Sequence, residues 1–156
     1  MIHHRASHVY PEGFTLIELL ISIAIIAILA SVSVPNFRPL MTKYRLDGAA
    51  RQLMGDLMAA RMKAVSQNRN VEIFFSNNHQ YRICDDADSN DTVSNCEGNA
   101  QFKDIQTNFS DVMLSSNNNP IFSPKGTAAN LPTITLTNSS GSKTITIAIT
   151  GRVKIN

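Results

Sequence analysis

Four small groups of residues in this chain are of types that could do chemistry. The first is a single carboxylate. Glu18 lies inside the apolar run Phe14–Val34 with no Lys or Arg beside it. An ionised carboxylate in an apolar medium costs several kcal/mol unless a cation or hydrogen bonds meet it. The partner must then come from another subunit or from a positive amino terminus. A cut between Gly13 and Phe14 would create such an amine four residues before Glu18. Neighbouring copies could then pair amine to carboxylate.

The second group is Cys84 and Cys96, in a polar stretch rich in Asn and Asp. They read as a short disulfide loop, which implies an oxidising compartment. Closing such a loop contributes about 3 kcal/mol in the chain-entropy model. Two unrelated free thiols are the alternative. The third group lies between them. Asp86, Asp88, Asn90, Thr92, Ser94 and Glu97 occupy positions 1, 3, 5, 7, 9 and 12 of a calcium-loop pattern. Asp91 stands where that pattern turns on a glycine, and no flanking helices are expected. A solvated acidic loop is the plainer reading, and a Ca2+ ion on Asp86, Asp88, Asn90 and Glu97 the sharper one. The fourth group is Gly151-Arg152-Val153-Lys154. Arg152 and Lys154 would share one strand face and could contact adjacent phosphates. No aromatic platform accompanies them. A terminal strand with exposed charges is the plainer reading, and nucleic acid is not the expected partner.

Enzyme motifs do not occur. The sequence lacks a phosphate loop, a Gly-x-Ser-x-Gly elbow and a His-Glu-x-x-His pair. His4 and His8 have helical metal spacing but precede Gly13, and His79 stands alone in an expected turn. The expectation is a non-enzyme with no metal site and no required cofactor.

The elements that must carry these groups follow from periodicity. The net charge of +2 is too small to announce a polyanionic partner, but its distribution is uneven. Residues 36–70 hold seven Lys/Arg against Asp47 and Asp56, whereas residues 71–156 hold six basic and eight acidic side chains. Phe14–Val34 is 21 residues, roughly 31 Å as a helix and enough to span a bilayer core. A buried core helix, a plain signal anchor and a cleaved secretory signal with its site near Ala30 compete for this run. Its length and Glu18 argue against the cleaved signal. The basic residues after the run argue weakly against export of the C-terminal part, and the cysteines argue for it.

Beyond Pro35 a helix is expected to resume. Leu46, Ala50, Leu53, Leu57, Ala60 and Ala64 form one stripe. Met54, Met58, Met62 and Val65 form a second stripe beside it. Two stripes suit two partners, the chain's own sheet and neighbouring subunits; one broad core face is the alternative. From Val71 the period becomes two. Val71–Phe75 and Gln80–Cys84 flank Asn77-Asn78-His79 as a hairpin. Phe102–Ile105 and Val112–Leu114 are weaker strands, and Ser115–Pro120 is a loop. Thr133–Thr137, a turn at Ser139–Ser142 and Lys143–Thr150 form a second hairpin, with Ile145, Ile147 and Ile149 inward. Gly151 permits a bend before a strand over Arg152–Ile155. The fold class is α+β, a long helix followed by an antiparallel sheet.

Two stretches now carry a family resemblance. Gly13-Phe14-Thr15-Leu16-Ile17-Glu18, followed by a long Leu/Ile/Ala run, resembles the class III signal of type IV prepilins and pseudopilins. Ile121-Phe122-Ser123-Pro124-Lys125-Gly126, the Ile134–Leu136 strand, and Ile145–Ile149 running into Gly151-Arg152-Val153 resemble the pseudopilin H and minor pilin group, GspH/FimT. The resemblance implies a pilin fold, a long N-terminal helix packed on an antiparallel sheet. It implies a leader, residues 1–13, removed after Gly13 by a prepilin peptidase that then methylates the Phe14 amine. It implies a transmembrane helix at 14–35, with a helix-kinking proline at Pro35 and Glu18 directing subunit assembly. An amphipathic second half at 36–70 and a periplasmic β-rich domain at 71–156 would complete the chain. The implied setting is the bacterial inner membrane, then a fibre built with other pilins on an inner-membrane assembly platform. The implied work is priming a type II secretion pseudopilus or a type IV pilus. Some minor pilins of this group bind DNA during uptake through a Gly-Arg-x-Arg end, so Arg152 and Lys154 carry the alternative function.

Overall fold

The computed structural model describes residues 13–85 and 100–156, with the side chains of 32–36 outside that description. One helix, α1, runs over Leu16–Gln67. It starts where the backbone N–H of Glu18 donates to Thr15 Oγ1 at 3.3 Å, which satisfies one orphan donor of the first turn. Glu18 itself lies in that turn, at the positive end of the helix dipole. α1 continues past Pro35 and Pro39 instead of breaking and resuming. It ends on Asn68, which takes the left-handed conformation at φ 53. The Arg69 N–H then donates back to the Ala64 carbonyl at 3.2 Å. That pair is the Schellman way of closing a helix without glycine.

The chain divides between residues 38 and 39 into two compact units. In the first, every described side chain from Gly13 to Ser31 is exposed. Among the described residues no helix is long and apolar enough to cross a membrane. The unbroken run of described side chains in this part of α1, Leu16–Ser31, covers about 24 Å of helix. The expected span of 14–35 runs on into side chains outside the description.

In the second unit the expected stripe is buried. Leu46, Ala49, Ala50, Leu53, Leu57, Ala60 and Ala64 face the core, and Leu53 and Leu57 are fully enclosed. Burying a leucine completely stabilises by about 1.5–3 kcal/mol, and four alanines in the stripe let the helix lie close to the strands. The second stripe divides. Met54 packs partly against the core, whereas Met58, Met62 and Val65 are exposed. One broad core face is therefore excluded.

Two antiparallel sheets stand where the sequence reading expects one. The strands are β1 (Val71–Phe75), β2 (Gln80–Asp85), β3 (Gln101–Asp104), β4 (Met113–Ser116), β5 (Ile121–Phe122), β6 (Ala128–Ala129), β7 (Thr133–Asn138), β8 (Gly141–Ile147) and β9 (Val153–Ile155). The five-stranded sheet has the order β3-β2-β1-β5-β6, and the four-stranded sheet β4-β7-β8-β9. The hairpin β1–β2 has Ile73 opposite Ile83, and β7–β8 has Ile134 opposite Ile145. All four of these side chains enter one core with Tyr81, Phe122, Leu136 and Ile147.

Several local expectations are corrected. β3 stops at Asp104, and Ile105–Thr107 forms a 3-10 turn because the Asp104 side chain accepts from the Gln106 N–H and caps it. Ser115 and Ser116 belong to β4, paired with Thr135 and Ile134. The short strands β5 and β6 have no counterpart in the sequence reading. Ile149 does not face inward; it is 68% exposed. β8 ends at Ile147 because the chain turns there: the Ala148 N–H donates to the Arg152 carbonyl at 2.9 Å, and the Gly151 N–H to the Ala148 carbonyl at 2.8 Å.

Candidate assembly surface

The N-terminal surface is built from a short cap and an apolar helix. Phe14 is 84% exposed, and no other atom comes near Gly13 where a side chain would project. Glu18 makes no ion pair among the described residues. Its favourable place in the first helical turn is worth roughly 0.3–1 kcal/mol. That is small against the several kcal/mol that an ionised carboxylate costs in an apolar medium. Around it Leu16, Ile17, Leu19, Leu20, Ile21, Ile23, Ile25, Ile26, Ile28 and Leu29 are all exposed. The side chain of Pro35 lies outside the described residues.

The body is held to its helix by polar locks that the sequence reading did not identify. The Tyr81 hydroxyl donates to Asp56 Oδ2, and Lys103 Nζ stands 3.7 Å from the other oxygen of that carboxylate. Burial raises the Tyr81 hydroxyl pKa, and Asp56 beside it raises it further. Lys63 Nζ lies 2.8 Å from Asp85 at the end of β2. Near the start of the body, Arg45 meets Asp111 at 3.3 Å and Lys143 meets Asp47 at 3.1 Å. Periodicity finds none of these, because each joins residues far apart in sequence. On β1 the Glu72 carboxyl is nearly buried, and burial pushes its pKa up to about 7.

A second region was only partly legible. Arg61 on α1 donates from Nε to the Gly126 carbonyl at 2.8 Å and from Nη2 to the Thr150 carbonyl at 3.3 Å. It thereby ties the loop after β5 to the loop after β8. Gly151 is at φ +74, and a Cβ there would collide with the Gly126 oxygen. Only a glycine fits so close an approach in that conformation. Gly151 and the Gly126 segment were singled out in the sequence; Arg61, which joins them, gave no signal beyond being one of several basic residues on a helix. The expected strand over Arg152–Ile155 starts one residue later: Arg152 is exposed in the turn before β9, and Lys154 is exposed on β9 next to buried Val153. Cys84 is fully buried on β2 and disulfide-bonded. Cys96 and the calcium-pattern positions Asp86, Asp88, Asn90 and Glu97 lie outside the described residues. Among the described residues no group of His, Cys, Asp or Glu could hold a metal.

Comparison with known proteins bears on both surfaces. Residues 49–151, about two thirds of the chain, match the family described as Type II transport protein GspH. Residues 12–34 match the prokaryotic N-terminal methylation motif. The pilin-like protein PilA1 of Thermus thermophilus is 29% identical over 154 residues, which is 92% of this chain and 97% of that protein. Two crystal forms of the type IV minor pilin FimU of Pseudomonas aeruginosa share the fold, with TM-scores of 0.56 and 0.55 at 20% identity. They cover 73% and 71% of this chain and 90% and 92% of theirs.

Proposed function

The chain belongs to the GspH family of minor pilins and pseudopilins, and from that premise we propose that it is a fibre subunit whose work is assembly. The observation that carries this reading is the exposed apolar helix Leu16–Ser31 with Glu18, which makes no ion pair among the described residues, in its first turn. A surface of that kind is unstable in water and suits first a membrane, then the helices of neighbouring subunits. A prepilin peptidase cuts after Gly13 and methylates the Phe14 amine. The subunit then waits in the inner membrane with its body in the periplasm, where Cys84 pairs with Cys96. The assembly platform draws it into a helical fibre. Glu18 meets the Phe14 amine of a neighbour and sets the register, and Pro35 relaxes the helix so that subunits pack. The fibre serves to prime a type II secretion pseudopilus or a type IV pilus, and no catalytic step is involved.

The test is intact-mass analysis of membrane-extracted protein made together with a prepilin peptidase, alongside fibre incorporation of Glu18→Ala. The expected product begins at Phe14 and is one methyl heavier than the bare chain. Glu18→Ala is expected to be cut normally and to enter fibres at least tenfold less. A product that keeps Met1, or one cut near Ser33, would sink the reading. Capture of DNA remains the second reading, favoured by the exposure of Arg152 and Lys154 close together at the C-terminal end of the body. It requires salt-dependent affinity that falls on Arg152→Ala and Lys154→Ala.

A further inference from the structure

The five-stranded sheet carries side chains that the core does not use. Ile73, Tyr81 and Ile83 enter the core, so their neighbours Phe74 and Arg82 point to the sheet's other face. Phe74 is directly opposite Arg82, and Arg82 is directly opposite Phe102 on β3. Residues opposite one another share a face, so the three form one row across β1, β2 and β3. The Arg82 guanidinium lies over the Phe74 ring, 5.1 Å from its centroid. Phe102 ends the row and is 76% exposed. On the same two strands Gln80 stands opposite Asp104. Ser76, Gln80, Phe102, Lys103, Asp104 and Thr107 line a cavity of about 500 Å³. That volume lies within the usual range of small-ligand sites, about 300–1,000 Å³.

The polar groups of this cavity are fixed in advance. Asp104 accepts from Gln80 Nε2 at 3.0 Å and from the Gln106 N–H at 2.8 Å. The Gln80 amide foremost, then the Gln106 N–H and His79, holds the Asp104 carboxyl below the usual carboxylate range. An ionised carboxylate offers about four acceptor sites, so capacity remains after those two bonds. Donors stand beside it. Ser76 and Thr107 carry hydroxyls, and the Lys103 ammonium makes only a long ion pair with Asp56, at 3.7 Å. One cation and one carboxylate leave the lining without net charge, which selects neither a polyanion nor a polycation. An exposed aromatic ring among donors and acceptors suits a ligand apolar on one face and hydroxylated around its rim. A neutral pyranose has that form: its C–H groups can cover a ring, and its hydroxyls both donate and accept. A nucleic acid would instead bring phosphates against Asp104. We propose that the Phe102–Asp104 end of this sheet binds a neutral glycan, with one sugar ring on Phe102 and its hydroxyls bonded to Asp104, Gln80 and Lys103. The site belongs to the body and does not depend on the fibre reading.

The test is saturation-transfer NMR on the full-length chain, held in a detergent without a sugar headgroup. The probes are the neutral disaccharides maltose, cellobiose and di-N-acetylchitobiose, with heparin as a polyanion. At least one neutral sugar is expected to receive saturation, strongest at the C–H protons of one ring face. Phe102→Ala is expected to weaken its binding at least tenfold, and Phe102→Tyr to keep it. Asp104→Asn is expected to weaken it at least threefold. Phe102 is exposed, so equal melting of Phe102→Ala and the parent chain checks that folding is intact. No transfer to any of the three sugars up to about 10 mM, transfer unchanged by Phe102→Ala, or binding of heparin in their place would overturn the site. Co-sedimentation separates two sources of such a glycan. Pelleting with murein sacculi, lost in Phe102→Ala, assigns the strands of the cell wall; pelleting with insoluble cellulose, lost in the same variant, assigns an exported polysaccharide.

Discussion

The two parts of helix α1 differ in what their apolar residues do. Over Leu16–Ser31 nearly the whole circumference is apolar, and no described side chain is buried. Over Leu46–Ala64 the apolar residues that face the core form a narrow stripe, and each residue of that stripe is buried. Greater hydrophobicity therefore goes with less burial inside the chain. Burial needs a matching face. A stripe of Leu and Ala with 3.6 periodicity can lie on a sheet, whereas a helix apolar all round needs surroundings that are apolar all round. The stripe thus serves the fold of the body, whereas the described side chains of the fully apolar helix find no matching face within the chain.

The contrast can be broken by exchanging the same kind of truncation between the two parts. Leu57→Ala opens a cavity at a fully buried site and is expected to cost the body about 3–4 kcal/mol. Ile25→Ala, at an exposed site, is expected to leave body melting unchanged within about 0.5 kcal/mol. Thermal unfolding of the full chain in detergent compares them directly, and equal losses would end the distinction.

A smaller effect is expected at the Arg61 junction, which locates how the stripe side of the helix governs the rim of the body. Gly151→Ala forces a side chain into a left-handed position against the Gly126 carbonyl, at a cost of about 2–3 kcal/mol. Hydrogen exchange should show the loss concentrated in β9 and the loop 123–127. Uniform loss across both sheets would mean that the junction is no separate joint.

The smallest effect is a pH dependence confined to the body. Glu72 gives up its proton at about 7 in the folded chain, against 4.5 unperturbed. Between those values the folded state holds the proton longer than the unfolded state does. Stability therefore falls as pH rises through that window and levels off above it. Glu72→Gln should flatten this slope and raise the melting temperature by a few degrees at pH 8. A slope unchanged by the substitution would assign the dependence to another group.

Much of this was readable from local pattern. The stripe Leu46–Ala64, the β1 boundaries and the bend at Gly151 follow from residue spacing and from what glycine alone can do. The misses share a cause. Ile149 continues a perfect alternation, yet the turn closed by Ala148, Gly151 and Arg152 removes it from β8. β5 and β6 are two residues each, too short to show a period. The division into two sheets depends on pairings between strands distant in sequence, which no local pattern encodes.

Residue order alone was enough to reveal an apolar helix with a carboxylate in its first turn, an N-terminal methylation motif over residues 12–34, and an α+β body behind it. Those are properties of neighbours along the chain, where period and side-chain type act directly. Packing alone decided that Met58, Met62 and Val65 stay outside the core, that Asp56 answers Tyr81 and Lys63 answers Asp85, and that Arg61 joins two distant glycine loops. Each of those depends on which surfaces meet, and segments far apart in sequence become neighbours only when the helix and both sheets close on one core.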